Sequence, residues 1–253
     1  MSEIFYNLFG GFFQGLTEFL PISSSGHLLL LGIDMDTTII LHFGTVFSIL
    51  IYYKKFIIEN IKQFINGDRK LLYFVIIGCL PISIVGFLGK NSIESFFYFE
   101  TNSFVPPKAL IYTYMLTAIF LFLSKNVIQN KQLTFKIVLI VGLLQILALL
   151  PGVSRSGITI CSLLILGINH KDAIRFSFLM AIPIILGASF LAFLDNEFQY
   201  NSLPMLIGFL SSFLFGLLAI YLTNKLLQNK KYWLFSIYCF IISITIFIWN
   251  LIL

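Results

Sequence analysis

Charge is what this sequence has least of. Of its 253 residues, 16 are Lys or Arg, 11 are Asp or Glu and three are His, so charged residues make up 11%. A soluble domain carries about 25%. Together with 58% hydrophobic residues and a mean hydropathy of +0.97, this excludes a water-soluble fold and predicts an all-α integral membrane protein. Cysteine is also scarce. Cys79, Cys161 and Cys239 each sit inside an apolar segment without paired spacing, which argues against a disulfide framework or a cysteine metal site. They read as small core residues. No basic stretch precedes the first apolar run and no small-residue cleavage site follows it, so no removable signal peptide is expected. The net charge of +5 does not point to nucleic acid, because the bases fall between apolar segments on one side of the chain.

The apolar segments come in two lengths. Residues 38–53, 71–89, 104–124, 173–194, 203–224 and 232–252 are long enough to cross a bilayer. Residues 8–20, 24–33, 136–150 and 157–168 are shorter and are broken by Pro21 and Gly26, and by Pro151, Gly152 and Gly157. Proline lacks a donor and glycine disfavours helix, so each short pair reads as two half-helices joined by a turn. Placing residues 54–70, 125–136, 169–175 and 225–231 inside puts 13 of the 16 basic residues there, against Lys90 and Lys108 outside. That bias satisfies the positive-inside rule. Six transmembrane helices plus two re-entrant hairpins are expected, the first hairpin entering from outside beside Asp34 and Asp36, with both termini outside.

The two turns are one passage written twice. At an offset of 131, Gly11, Gln14, Leu16, Ser23, Ser25 and Gly26 meet Gly142, Gln145, Leu147, Ser154, Ser156 and Gly157. Ser24 meets Arg155. Farther on, Gly78 and Gly86 meet Gly208 and Gly216 at an offset of 130. Each half then holds one hairpin and three spans, an odd number, which makes an inverted-topology repeat of approximately 1–127 and 128–253 within a single membrane domain. Broken helices in inverted repeats place a site near the midplane, where non-helical backbone is tolerated only under protein or beside water.

Few ionisable groups lie at that depth: Glu18, His27, Arg155 and His42. Such residues default to a functional hypothesis. His42 and His170 read as structural or interfacial. If the hairpin tips meet, Glu18, His27 and Arg155 converge with Ser23, Ser24, Ser25, Ser154, Ser156 and Thr159. The half-helices would aim N–H groups at an anion, Arg155 would hold phosphate bidentately, and Gly26 and Gly157 would admit close approach. Ser24 or His27 could attack phosphorus, with Glu18 accepting a proton or helping to hold a cation.

At these motifs the chain resembles the undecaprenyl-diphosphate phosphatase family, membrane enzymes associated with bacitracin resistance. The matching runs are Gln14-Gly-Leu-Thr-Glu18, Pro21-Ile-Ser-Ser-Ser-Gly-His27 and Pro151-Gly-Val-Ser-Arg-Ser-Gly-Ile-Thr159, and the match continues through Arg175-Phe-Ser-Phe and Pro183. The resemblance implies a catalytic set of Glu18, Ser24, His27 and Arg155, with Gln14 where many members carry Glu. It also implies removal of the terminal phosphate of undecaprenyl diphosphate, in a bacterial cytoplasmic membrane, recycling the carrier lipid for wall synthesis. A divalent cation, Mg²⁺ or Ca²⁺, is implied by the resemblance alone. Expected partners are the polyprenyl diphosphate lipid and the bilayer, with a homodimer left open. The rival expectation is a transporter or flippase of an anionic polyprenyl lipid, which opposed hairpins would also suit. A Pro-Ser-Gly-His-type phosphatase is set aside, because its later His-x-x-x-Asp does not follow Ser154-Arg155.

Overall fold

The computed structural model describes residues 3–98, 106–125, 127–128, 130–195 and 202–252. Among these the chain is helical and holds no strand, only an isolated bridge between Lys131 and Ile168. The first half runs α1 (Glu3–Phe19), α2 (Ser24–Leu31), α3 (Met35–Tyr52), α4 (Lys54–Ile65), α5 (Lys70–Tyr98) and α6 (Ala109–Leu123). The second runs α7 (Phe135–Leu144), a 3₁₀ continuation (Gln145–Leu149), α8 (Arg155–Ile165), α9 (His170–Asp195), α10 (Ser202–Gln228), a 3₁₀ turn (Tyr232–Leu234) and α11 (Phe235–Ile252).

Four of these helices, α5, α9, α10 and α11, contain stretches long and apolar enough to cross a membrane, and α3 with α4 makes a fifth if that bent pair counts as one span. The outward faces carry large apolar side chains, such as Phe87, Leu88 and Phe190. Exposed apolar area on that scale is unsuited to water and suits lipid.

Two segments differ from expectation. The segment after α3, expected on the inner side and not among the apolar segments, is helical: α4 turns 76° away from α3. No α4 residue is buried, and it carries Lys54, Lys55 and Lys62 beside Ile58, Ile61 and Ile65. Lys55, Glu59 and Lys62 fall on one side of α4 and Ile57, Ile61 and Ile65 on another, a polar and an apolar face that suit a membrane interface. The expected span 104–124, whose first residues, 104 and 105, lie outside the described ones, is a 15-residue helix, α6. At 1.5 Å per residue it is roughly 23 Å long. The side chains of Asp36 and Lys90 also lie outside the described residues.

Small residues set the packing. α1 lies on α10 so closely that a Cβ on Gly11 would stand 2.5 Å from the Gly208 carbonyl oxygen. α7 lies on α5 in the same way: a Cβ on Gly142 would stand 2.6 Å from the Gly78 carbonyl oxygen. Gly11 matches Gly142 and Gly78 matches Gly208 across the duplication, so each half's first half-helix packs on a long helix of the other half. Hydroxyls bind across these contacts, Ser211 Oγ to the Leu8 carbonyl at 2.8 Å and Thr223 Oγ1 to the Phe19 carbonyl at 3.1 Å. Close backbone approach and interhelical hydrogen bonds are the cohesive forces left where lipid removes the hydrophobic drive.

Candidate active site

Both turns are built on a serine cap. Ser23 precedes α2 and its Oγ accepts the Gly26 N–H at 3.3 Å; Ser154 precedes α8 and its Oγ accepts the Gly157 N–H at 3.1 Å. Capping satisfies one of the free donors of each first turn. Ser23 Oγ also lies 3.2 Å from Ser25 Oγ, as Ser154 Oγ does from Ser156 Oγ. Ser23 sits at φ 66°, a left-handed conformation that an L-residue adopts only when its surroundings hold it there.

The tips meet. The Gly152 N–H donates to Ser23 Oγ at 3.1 Å, and Ser156 Oγ donates to the Leu20 carbonyl at 3.2 Å. Thr117 of α6 braces the second tip, accepting the Ser154 N–H and donating to the Gly152 carbonyl, both at 3.1 Å. Backbone approaches closely on both sides of the joint: a Cβ on Gly26 would stand 2.5 Å from the Tyr114 hydroxyl, and one on Gly152 closer still to Thr113 Oγ1.

At this junction Glu18 is the hub. Arg155 Nη2 donates to its Oε1 at 2.7 Å, and Ser24 Oγ to its Oε2 at 2.5 Å. Gln14 Nε2, one helical turn earlier, also donates to Oε2, at 3.1 Å. Arg155 Nη1 is buried without a partner. A buried guanidinium donor left unpaired is costly unless an anion arrives to accept it. Among the described residues, no hydrogen bond engages the N–H groups of Ser24, Ser25, Arg155 or Ser156, the first-turn donors of α2 and α8. Ser24 is half-buried and Ser25 exposed, whereas Ser23, Ser154 and Ser156 are buried in the joint between the tips.

His27 stands apart from this chain of contacts. Its Nδ1 lies 2.7 Å from the Ser23 carbonyl, which can only accept, so Nδ1 carries a hydrogen. Its Nε2 lies 2.8 Å from the Tyr238 hydroxyl of α11, and the Tyr114 hydroxyl lies 3.1 Å from Nδ1. Neither ring nitrogen of His27 reaches Ser24. Thr159 also faces away, donating to the Arg155 carbonyl at 2.8 Å and meeting Ser177 Oγ of α9 at 2.6 Å. Of the expected residues, then, Gln14, Glu18, Ser24 and Arg155 share one network, Ser23, Gly26, Ser154, Ser156 and Gly157 form its scaffold, Ser25 borders it, and His27 and Thr159 serve neighbouring contacts. Sequence reasoning missed Tyr114, Thr117 and Tyr238. It also set aside His42, which lies on α3 within electrostatic reach of both Glu18 and Arg155.

The donor set does not suit a divalent cation held by protein alone. Glu18 is the carboxylate of this junction and both its oxygens are engaged. Among the described residues no three His, Cys, Asp or Glu side chains come together. Mg²⁺ asks for a near-octahedral shell of oxygens, and Ca²⁺ for six or more.

A family model described as bacitracin resistance protein BacA matches residues 7–245. The chain belongs to this family. Undecaprenyl-diphosphatase of Thermosipho africanus is 38% identical over 250 residues, covering 94% of this chain and 96% of that protein. Undecaprenyl-diphosphatase of Methanosphaera stadtmanae is 36% identical over 285 aligned positions, covering all of both chains. That of Halothermothrix orenii is 37% identical over 261, with 97% and 98% covered. The BacA match takes in both hairpin tips and every residue of the Glu18 network.

Proposed function

We propose that this chain hydrolyses undecaprenyl diphosphate to undecaprenyl phosphate and inorganic phosphate in the cytoplasmic membrane, recycling the carrier lipid for cell-wall synthesis and conferring bacitracin resistance. Family membership and the names of its relatives support the activity. The observation that carries the mechanism is the contact of Ser24 Oγ with Glu18, beside a buried Arg155 Nη1 that has no partner.

In this mechanism the diphosphate head enters between the tips while its polyprenyl tail stays in lipid. Arg155 turns from Glu18 to the terminal phosphate, with the first-turn N–H groups of α2 and α8 holding its other oxygens. That exchange frees Glu18 to take the Ser24 proton. Ser24 Oγ bonds to the outer phosphorus as the bond to the bridging oxygen breaks, and undecaprenyl phosphate leaves. Glu18 passes that proton to the departing undecaprenyl phosphate and is a carboxylate again. It then takes a proton from water, whose oxygen bonds to phosphorus as the P–Oγ bond breaks, and returns the proton to Ser24 Oγ, releasing phosphate and restoring the hydroxyl. Glu18 is preferred to His27 as base because Ser24 touches Glu18 alone. His27 positions the turn by holding the Ser23 carbonyl. No step passes through a metal. A divalent cation enters only as a counter-ion carried in on the diphosphate, so chelation should raise KM and leave the melting temperature of the protein unchanged.

Six spans with two re-entrant hairpins, in inverted repeats of approximately 1–127 and 128–253, are part of the same proposal, and the reciprocal contacts Gly11–Gly208 and Gly142–Gly78 support it. A lipid transporter is not what the relatives are named for, and headgroup movement without phosphate release would be needed to favour it. The test is turnover of undecaprenyl diphosphate by Ser24→Ala and Glu18→Gln proteins. Loss of about 10²–10⁴-fold in kcat is expected for each, and near-normal turnover of Ser24→Ala would pass the nucleophile's role to water or His27.

A further inference from the structure

A polar cavity lies at the C-terminal end of α8, away from the hairpin tips. It measures about 340 Å³, within the range that holds small ligands. It lies where three basic turns converge: Lys125 follows α6, His170 opens α9 and Lys230 follows α10. Among the described residues its lining includes no carboxylate. Asp172, one turn into α9, is hydrogen-bonded to Asn169 and lines a different cavity.

Three features mark this cavity as more than a solvated rim. The Lys125 ammonium sits 4.0 Å from the centroid of the Trp233 ring, which holds that charge over the opening. Lys230 occupies the left-handed position that ends α10, at φ 55°, its N–H donating to the Leu227 carbonyl at 2.9 Å. Glycine is the usual residue there, so a lysine is kept against backbone strain. Tyr232, a lining residue only 2% exposed, lies within electrostatic reach of Arg155. The residues adjoining the cavity along the chain, Leu123 and Leu234, are exposed and apolar, so a phosphate with a lipid tail fits as well as one without.

We propose that this cavity is a second phosphate site, separate from the hydrolytic one, in which Lys125, His170 and Lys230 bind either the headgroup of an anionic phospholipid or free inorganic phosphate. Basic pockets between membrane helices at an interface recognise such headgroups. The proposal does not rest on hydrolysis, and its readout is binding.

The experiment uses the full chain in nanodiscs. Phosphatidylglycerol in a phosphatidylcholine background is one probe, read by native mass spectrometry, and inorganic phosphate is the other, read by titration. Lys125→Ala with Lys230→Ala should weaken one of the two about five-fold per lysine. Lys54→Ala with Lys62→Ala on α4, an equal loss of charge, should not. Lys230→Gly suits the left-handed backbone better, so it should raise the melting temperature while still weakening binding. Loss for phosphatidylglycerol identifies a lipid site, and loss for inorganic phosphate alone identifies a free-phosphate site. If neither probe separates the Lys125/Lys230 variant from wild type, or the α4 control loses as much, the site does not exist.

Discussion

One carboxylate serves both hairpin tips, and its two oxygens do different work. Glu18 Oε1 holds Arg155, while Oε2 holds Ser24. Replacing Arg155 by Lys keeps the charge and loses the fork that pairs with a planar carboxylate and with phosphate. Arg155→Lys should therefore lower kcat by about 10²–10³-fold, as loss of a transition-state donor does; recovery to within ten-fold of wild type would show that charge alone suffices. Tyr238→Phe removes the hydrogen bond to His27 Nε2. A positioning contact of this kind is worth about 0.5–1.5 kcal/mol, so kcat should fall no more than about ten-fold with KM unchanged, and a loss as large as that of Ser24→Ala would make His27 the base. Glu18, Ser24 and Arg155 were legible because charged or hydroxyl groups beside Pro and Gly stand out in an apolar chain. Tyr238 was not: it is 211 residues from His27 and reads, in an apolar helix, as one more lipid-facing aromatic.

At the scale of the element, glycine spacing fixes which helices touch. Gly11 has the Gly208 carbonyl where its Cβ would go, whereas Gly187 on α9 has nothing within 4 Å. Overpacking costs about 1–3 kcal/mol, so Gly11→Ala should lower the melting temperature by roughly 3–10 °C. Gly187→Ala should hold or raise it, since alanine favours helix by about 1 kcal/mol over glycine. Equal effects of the two would remove the close α1–α10 contact as a stabilising feature. The half-helices were legible from their length and from the Pro and Gly that break them. The helical state of α4 was not, because its lysines marked it as an inner segment. Its apolar residues Ile57, Ile58, Ile61 and Ile65 already carried the helical period.

Across the whole molecule, 13 of the 16 basic residues fall in the segments expected inside, several against aromatic rings: Lys125 over Trp233, Arg175 over Phe56 and Lys70 over Phe74. That distribution sets orientation. Lys62→Cys should react with an impermeant maleimide only from the inner face, and Glu3→Cys only from the outer face. The native cysteines are all buried and leave the background silent. Labelling of both from one face would overturn the inverted arrangement. The duplication was legible as an offset of 131 between the two turns. The exchange of partners, α1 onto α10 and α7 onto α5, was not, because no local pattern states which half a glycine face will meet. The most direct measurement is phosphate release from undecaprenyl diphosphate by the purified protein beside its Arg155→Ala variant. Release by the wild type that is lost in the variant is the predicted result. A folded wild type that releases none, or a variant that releases as much, would contradict an active site at the hairpin tips.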